Sequence, residues 1–350
     1  MIGFKFNILR TIHNMKILIY DVDFKTSRTV YPIKSAFESL GHTADMFDWR
    51  KYLFSYTNVS FINNVKDRIL FDFVAYKINR DLKAAIKTGS YDLFLVVRGE
   101  HIFPETIAYA KKHIPIVANW SSDDLFNKLN SSKHVLSSFD QYDIHFSPRK
   151  HLRQEYLDKG AKSFETLDWY YRPGMIFSEV EIHKFYYIND VCFIGSWSSR
   201  REILLSSLKE LNLKLCGWGW NKKLTTELFD QWNINPPVAM SEMMTVFSQT
   251  KININIHTIE NRDRINPRNY DIAVAGGFQL SERTADVLEV FKEDVEIACF
   301  DSKEELKSKC EFYLKNDRLR EKIAIAGYYK IINGNNSLID RIKQIVDIII

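Results

Sequence analysis

The sequence predicts an α/β protein made of two parallel-sheet domains. Strand and helix patterns alternate along the chain in two series, one before and one after a polar stretch at residues 174–188. Some predicted strands, such as residues 91–97, are near-continuous apolar runs, as strands buried on both faces of a parallel sheet require. A length of 350 residues suits two domains better than one.

Residues 1–173 are predicted to form the first Rossmann-like domain. A β-branched strand pattern at 16–21 opens it, and a long helical pattern covers residues 65–87. Further strand patterns near 91–97 and 142–147 are separated by helical patterns. Residues 1–14 are interpreted as an upstream start or a short tail. The loop after the first strand lacks the G-x-G-x-x-G fingerprint, so no NAD or FAD is placed there.

Residues 189–350 are predicted to form the second Rossmann-like domain, with 174–188 as the connection between the domains. The alternation restarts with a strand pattern at 191–196, and three helical patterns follow Phe300. The last helix is expected to belong to this domain or to pack back on the first one.

Composition excludes several classes of protein. The formal net charge of +4 is nearly balanced, so the whole-chain field does not indicate a nucleic-acid partner. The four cysteines show no C-x-x-C or Cys/His ligand spacing, which indicates a reducing, cytoplasmic location and no structural zinc. No apolar run reaches the ~18 residues of a membrane-spanning helix. Membrane association is therefore expected to be peripheral at most.

The most informative stretch runs from residue 253 to residue 282. It predicts a strand, a polar loop, a short helix from about Pro267, a turn at Gly276 and Gly277, and a second strand. In such a crossover the loop opens at the carboxyl edge of a parallel sheet, where the helix N-terminus offers N–H groups and partial positive charge. A diphosphate is expected to bind there.

Charged residues in this stretch fit the same expectation. Arg262, Arg264 and Arg268 supply cations, and the Asp271 carboxylate suits the paired hydroxyls of a ribose. The alternative is a charged, solvated loop followed by an ordinary glycine cap.

The segment Arg-Ile-Asn-Pro-Arg-Asn-Tyr-Asp-Ile-Ala-Val-Ala-Gly-Gly-Phe-Gln-Leu, residues 264–280, is followed by an acidic helix opener at 301–306. Together they resemble the signature of the CgeB-like (spore maturation protein B-like) glycosyltransferases. Tyr270 and Asp271 stand where that family usually has Phe and Glu. The resemblance is best over residues 190–327 and implies the GT-B fold, two Rossmann-like domains facing across a cleft.

What the resemblance implies is a hexosyltransferase-like enzyme of glycan biosynthesis. It would move a sugar from a nucleotide-diphosphate sugar to a hydroxyl of a glycan, protein or small-molecule acceptor, without a metal or any cofactor beyond the donor. The donor would be bound by Gly195, Ser196, Arg201, Gly217, Trp218, Asn266, Arg268, Asp271, Gly276 and Gly277.

Several of these roles have plain structural alternatives. Gly195 and Ser196 lie at the tip of a predicted strand, where a phosphate can approach the backbone, but an ordinary strand-ending turn has the same pattern. Trp218 and Trp220 can stack on a base or fill the core, and the core is the commoner place for tryptophan. Arg201 can pair with phosphate or be solvated.

The candidate catalytic residues lie at predicted strand tips of the first domain: Glu100, His101, Asp123 and Asp124. An inverting transfer needs one of them as a general base, whereas a retaining transfer does not. For the Asp123–Asp124 pair the alternative is N-capping, by Ser122 or Asp123, of a helix that starts there. Two rival functions stay open: a nucleotide-sugar epimerase or hydrolase on the same frame, and a non-catalytic surface or assembly protein.

Overall fold

The computed structural model describes most of the chain as two compact units. The first unit runs up to Asp168 and includes Ile339–Ile350, and the second comprises Trp169–Leu338. The described residues are 14–21, 33–56, 60–128, 130–177, 186–223 and 232–350. Most of the predicted connection at 174–188 lies outside them.

The first unit contains a six-stranded sheet in which every pairing is parallel. Its strands are β1 Lys16–Asp21, β2 Thr43–Asp48, β3 Leu93–Val97, β4 Ile116–Trp120, β5 Ile144–Ser147 and β6 Phe164–Thr166, in the spatial order β2-β1-β3-β4-β5-β6. Its helices are α1 Ile33–Ser39, α2 Phe61–Ile69, α3 Phe71–Gly89, α4 Pro104–Lys111, α5 Lys133–Ser137 and α6 Arg153–Asp158.

The second unit repeats this design with a second six-stranded parallel sheet. Its strands are β7 Asn189–Ile194, β8 Leu213–Cys216, β9 Asn233–Asn235, β10 Thr250–Asn255, β11 Gln279–Glu282 and β12 Ala298–Phe300, in the order β12-β11-β10-β7-β8-β9. Its helices are α7 Ser199–Leu205, α8 Trp220–Lys223, α9 Met240–Ser248, α10 Pro267–Val274, α11 Ala285–Val290, α12 Lys303–Leu314 and α13 Asp317–Ile332.

The last helix, α14 (Leu338–Ile349), is fastened to the end of β6. Arg341 Nε donates to the carbonyl of Asp168 at 2.9 Å, and Gln344 Nε2 donates to the carbonyl of Thr166 at 3.0 Å. Ile342 and Ile345 are fully buried. Polar contacts and apolar burial together hold this helix in the first unit.

Both sheets have a topological switch point. In the first, β1 lies between β2 and β3; in the second, β7 lies between β8 and β10. Successive crossovers therefore leave the central strand in opposite directions, which opens a crevice at the carboxyl ends of the strands. The tips of β1 and β3, and those of β7 and β10, are where ligands are expected.

The structure departs from the sequence-based elements in two places. The helix expected over residues 65–87 is two helices, α2 and α3, which meet at Leu70. No helix begins after Ser122 or Asp123: residues 121–128 form bends and turns, and α5 begins only at Lys133. The interpretation of Ser122 or Asp123 as a helix N-cap is therefore wrong.

Candidate active site

Helix α10 begins at the carboxyl edge of the second sheet with a closed cap. Asn266 is the N-cap and Pro267, which has no N–H, is the first helical residue. The Asn266 Oδ1 accepts from the Arg268 backbone N–H at 3.1 Å, and the Asn269 N–H donates to the Asn266 carbonyl at 3.1 Å. The first N–H groups are thus already bonded, so the expectation that they bind a diphosphate is wrong. The partial positive charge of the helix end remains.

A buried amide network fixes the start of α10 to the two flanking strands. Asn255 at the end of β10 and Asn266 exchange two side-chain hydrogen bonds, at 3.1 and 3.2 Å. Asn269 Nδ2 donates to Gln279 Oε1 at 3.2 Å and to Ser281 Oγ at 3.1 Å, both on β11. Asn266, predicted as a donor ligand, is occupied in this network and acts on the geometry of the helix.

Arg268 lies on the first turn of α10 with its guanidinium largely buried. The group lies 5.3 Å from the ring centroid of Phe247, and its Nη1 contacts Met243 Sδ and lies 3.5 Å from the Asp271 carboxylate. Within the described residues, its Nε and Nη2 donate to no protein acceptor. Burial lowers the pKa of Arg268 and raises that of Asp271, while each charge opposes the shift of the other. Two of the predicted residues are therefore brought together as a half-buried ion pair.

The tip of β7 and the tip of β8 approach each other closely. The carbonyl of Gly195 accepts from Trp220 Nε1 at 2.8 Å, and a Cβ on Gly217 would lie 2.0 Å from that same carbonyl oxygen. Ser196 is exposed at the tip. Trp220 is fully buried, as the core interpretation predicts, but Trp218 is 73% exposed, so the core interpretation is wrong for Trp218.

Arg201 clamps the tip of β7 to that of β10. Its Nη1 donates to the Ser196 carbonyl, and its Nη2 donates to the Ile256 carbonyl and to Thr258 Oγ1, each at 2.9 Å. Burial lowers its pKa, and the charge of Arg268 lowers it further. Arg201 positions the switch-point loops while adding positive charge beside Arg268.

His257 follows β10 directly and was not among the predicted site residues. Its backbone N–H donates to Glu282 Oε2 at 2.6 Å, and Glu282 also binds the Arg200 guanidinium at 3.1 Å. The His257 side chain is buried, and its Nε2 has no hydrogen-bond partner among the described residues. Burial also lowers the pKa of His257, which favours the neutral imidazole. The signal in the sequence was a histidine ending an alternating strand at a switch point.

Gly276 and Gly277 lie at the other end of α10. Gly276 has a φ of 67° and ends the helix, and a Cβ on Gly277 would lie 2.9 Å from Asn253 Nδ2. Because α10 runs from the carboxyl edge to the amino edge of the sheet, these glycines are not at the strand tips. The structure assigns them to the turn and to close packing, which corrects their prediction as donor ligands.

An ion-pair network follows β11 and β12. Arg283 donates to Glu305 at 2.7 Å and to Glu293 at 2.7 Å, and the Asp301 N–H donates to Glu305 at 2.8 Å. Ser302 caps α12 by accepting from the Glu305 N–H. The acidic opener at 301–306 thus has a structural role as a helix cap and an ion-pair centre.

Replacing Glu305 with glutamine is expected to weaken the dependence of the free energy of unfolding on pH in the acid range. Hydrogen bonds from Arg283 and from the Asp301 N–H lower the pKa of Glu305 to about 2. A carboxyl whose pKa is depressed on folding stabilises the protein above its unfolded pKa of about 4.3, and this is lost as pH falls through the folded value. Above pH ~5 the free energy of unfolding of the wild type should exceed that of the variant by about 1–2 kcal/mol, after allowance for solvent screening. Near pH ~2 the two should be equal. Urea unfolding across this range measures the difference, with the exposed Glu304→Gln as control.

In the first unit, three charged residues meet at the tips of β3 and β4. Arg98 binds the Glu100 carboxylate and lies 3.4 Å from Asp123. Arg98 has a φ of 61°, a conformation that is costly for a residue with a side chain and that is common at functional sites. Burial and the charge of Asp123 raise the pKa of Glu100, opposed by Arg98. A carboxylate with a raised pKa is better suited to accept a proton.

His101 and Asp124 are placed less favourably as bases. The His101 ring lies 4.6 Å from both Trp49 and Phe71, and burial lowers its pKa to about 4. Asp124 is buried, and its Oδ1 accepts from the Phe126 N–H at 2.9 Å in a local turn. The structure brings Glu100 and Asp123 together around Arg98, and it leaves His101 and Asp124 in packing and turn roles.

Among the described residues, no group of three or more His, Cys, Asp or Glu side chains is arranged to hold a metal ion. No helix in that same part of the chain is long and apolar enough to cross a lipid bilayer.

Comparisons with known proteins bear on the fold and on the enzyme class. A family model described as Glycosyl transferase-like matches residues 200–347. Among solved structures, sucrose-phosphate synthase from Thermosynechococcus elongatus is similar over 96% of this chain and 98% of its own, with TM-score 0.69 and 9% identity. HepE from Anabaena, in complex with UDP and glucose, is similar over 96% and 99%, with TM-score 0.61 and 11% identity. A putative UDP-N-acetylglucosamine 2-epimerase from Listeria monocytogenes covers 96% of each chain, with TM-score 0.55 and 10% identity.

A search of curated protein sequences gave no significant match. The solved structures establish the fold as GT-B, which confirms the predicted fold class. The match of residues 200–347 to the glycosyl transferase-like model agrees with the predicted enzyme class, a glycosyltransferase.

Proposed function

We propose that the protein transfers a sugar from a nucleotide-diphosphate sugar to an acceptor hydroxyl, without a metal ion, in the cytoplasm, and that it is CgeB-like. The observation that carries the proposal is the switch point of the second sheet. Within the glycosyl transferase-like region, Arg268 keeps two donor groups unused, and Arg201 adds a second cation nearby. A diphosphate bound there relieves the mutual repulsion of these cations and gains charge-assisted hydrogen bonds.

The roles of the donor-site residues follow from their places. The exposed Ser196 hydroxyl and the buried His257 Nε2 offer hydrogen bonds at neighbouring strand tips. The exposed Trp218 ring offers a face for stacking with a base. Arg268 stabilises the negative charge that develops on the leaving diphosphate, and Asp271 holds the Arg268 guanidinium in place.

UDP is the first nucleotide to test, because the similar HepE structure contains UDP. In the first unit, we propose Glu100 as the group that takes the acceptor proton in an inverting transfer. The neighbouring charges of Arg98 and Asp123 shift the pKa of Glu100. The compartment is proposed from the four cysteines, which are all free and buried, as in a reducing environment.

A thermal-shift panel of UDP, GDP, dTDP, ADP and CMP, each with and without magnesium, tests the donor class. A ligand that binds only the native state raises the melting temperature. At 100 times its Kd it adds about 2.7 kcal/mol to the free energy of unfolding. We expect one diphosphate, UDP, to give a shift that magnesium does not change. A shift that requires magnesium contradicts metal independence, and the absence of any shift contradicts nucleotide binding.

The similar epimerase structure favours one second function, a nucleotide-sugar epimerase on the same fold. An epimerase converts its nucleotide sugar without any acceptor, whereas a transferase needs one. Incubating the protein with the nucleotide sugar alone, and analysing the sugar by NMR, separates the two. An isomerised sugar that stays attached to the nucleotide supports the epimerase.

A further inference from the structure

Large apolar side chains face solvent in the described residues around α2 and the start of α3. Phe61 is 83% exposed, Ile69 is 76% exposed, and α2 has no buried residue. A surface helix of a soluble protein normally buries its apolar side, so this helix reverses the usual arrangement. The α2–α3 patch consists of Phe54, Tyr56, Phe61, Ile62, Ile69, Leu70, Phe73 and Tyr76.

Helix α2 is amphipathic, with its apolar stripe facing outward. At 3.6 residues per turn, its apolar residues fall within an arc of about 100°. Lys66 and Arg68 flank the arc on either side, and both are exposed. The apolar residues of the arc are Phe61, Ile62, Val65 and Ile69. An apolar stripe bordered by cations is the pattern of helices that lie in a membrane interface.

The rest of the patch is continuous with α2. Asp67 on α2 accepts from the N–H groups of Phe54 and Ser55, at 2.7 and 3.1 Å, which fastens this turn beside the helix. The Lys66 ammonium lies 6.0 Å from the Phe54 ring centroid, and that of Lys77 lies 4.4 Å from the ring of Phe73. Aromatic rings with cations over them suit the boundary between headgroups and acyl chains.

The acidic residues of this segment are engaged within the protein. Asp67 accepts the two N–H groups just described. Asp72 pairs with Lys133 at 3.2 Å, and Asp81 binds Arg80 at 2.7 Å and accepts from the Tyr52 hydroxyl at 2.9 Å. The patch therefore presents apolar side chains and positive charge to its surroundings.

We propose that the α2–α3 patch docks the protein on the surface of an anionic lipid bilayer. Cations flanking an exposed apolar stripe complement negative headgroups above acyl chains. A second copy of the chain fits less well, because a two-fold contact sets this cation-bordered surface against an identical one. The nearly balanced charge of the whole chain does not oppose this, since the positive charge is local.

Flotation with phosphatidylcholine vesicles, with and without phosphatidylglycerol at about one part in three, tests the proposal. We expect the wild type to float with the mixed vesicles, and less so as salt is raised. Removing two charges with Lys66→Gln and Arg68→Gln should lower the partition coefficient roughly 25-fold, at about fivefold per cation. The triple variant Phe61→Ser, Ile62→Ser, Ile69→Ser should remain with the soluble fraction.

A matched control uses apolar residues that are similarly exposed outside the patch. Ile188 and Ile203 are each 60% exposed, and Ile188→Ser with Ile203→Ser should float like the wild type. The melting temperature and the UDP-induced thermal shift should be unchanged in the triple variant. Its three residues lie on the surface of the first unit, whereas the proposed donor site belongs to the second. Equal flotation of wild type and triple variant overturns the proposal. So does self-association in lipid-free solution that the triple variant abolishes, which would assign the patch to a homodimer.

Discussion

Replacing Arg268 with alanine is expected to lower the rate of sugar transfer by roughly 100- to 1,000-fold, the usual cost of removing one fixed donor from a developing anion. The diphosphate gains one negative charge as the bond to the sugar breaks, and Arg268 is a half-buried cation whose Nε and Nη2 donate to no acceptor among the described residues. The affinity for UDP should fall as well, because the negative charge that develops on the diphosphate in the transition state is also present in the product UDP. Turnover with the UDP-sugar and the UDP thermal shift measure the two effects.

The fold must be separated from the chemistry in this experiment. Alanine at position 268 removes the nearest cation from the mostly buried Asp271 carboxylate, at a cost of about 1–3 kcal/mol. The double variant Arg268→Ala, Asp271→Asn also removes the carboxylate charge, so its melting temperature should recover while its transfer rate should not. Arg264→Ala removes an exposed cation from the same loop and should leave the transfer rate and the melting temperature unchanged. Wild-type turnover in the double variant would refute the role of Arg268.

The elements of the fold were readable because their signals are local. Buried parallel strands are apolar runs, and the three helices after Phe300 are ended by ordinary caps and turns, so α12, α13 and α14 appear where the pattern puts them. The break between α2 and α3 at Leu70 was missed because both helices continue one amphipathic pattern with neither glycine nor proline between them. Short pieces such as β9 have too few residues to show a period.

The candidate site was predictable as a region and not as a set of contacts. A strand, loop and helix at 253–282 locate the carboxyl edge of the sheet. The sequence does not show that the Asn266 side chain caps the helix N-terminus, or that Arg201 donates its N–H groups to backbone carbonyls. These depend on how distant segments pack. His257 was passed over for the same reason, since its unpaired Nε2 is apparent only once its surroundings are known.

Replacing Gly217 with alanine is expected to destabilise the second unit by about 3 kcal/mol, near the upper end for an overpacked site. The added Cβ would lie 2.0 Å from the Gly195 carbonyl oxygen and 2.6 Å from its carbon, and neither backbone atom can rotate away as a flexible side chain can. The Gly195 carbonyl also holds the buried Trp220 indole at 2.8 Å, so moving the tip of β7 disturbs the core beneath it. Urea unfolding measures the loss.

The same change should weaken UDP binding beyond its effect on stability, because Ser196 and the loop that Arg201 clamps belong to the displaced tip. Gly174→Ala is the matched control: nothing lies within 4 Å of its added Cβ, so reduced freedom of the unfolded chain should leave that variant unchanged or stabilised by about 0.4–1 kcal/mol. The two glycine substitutions therefore differ in the sign of their expected effects. Wild-type stability and UDP affinity in Gly217→Ala would mean that the approach of the β7 and β8 tips is not a constraint on the donor site.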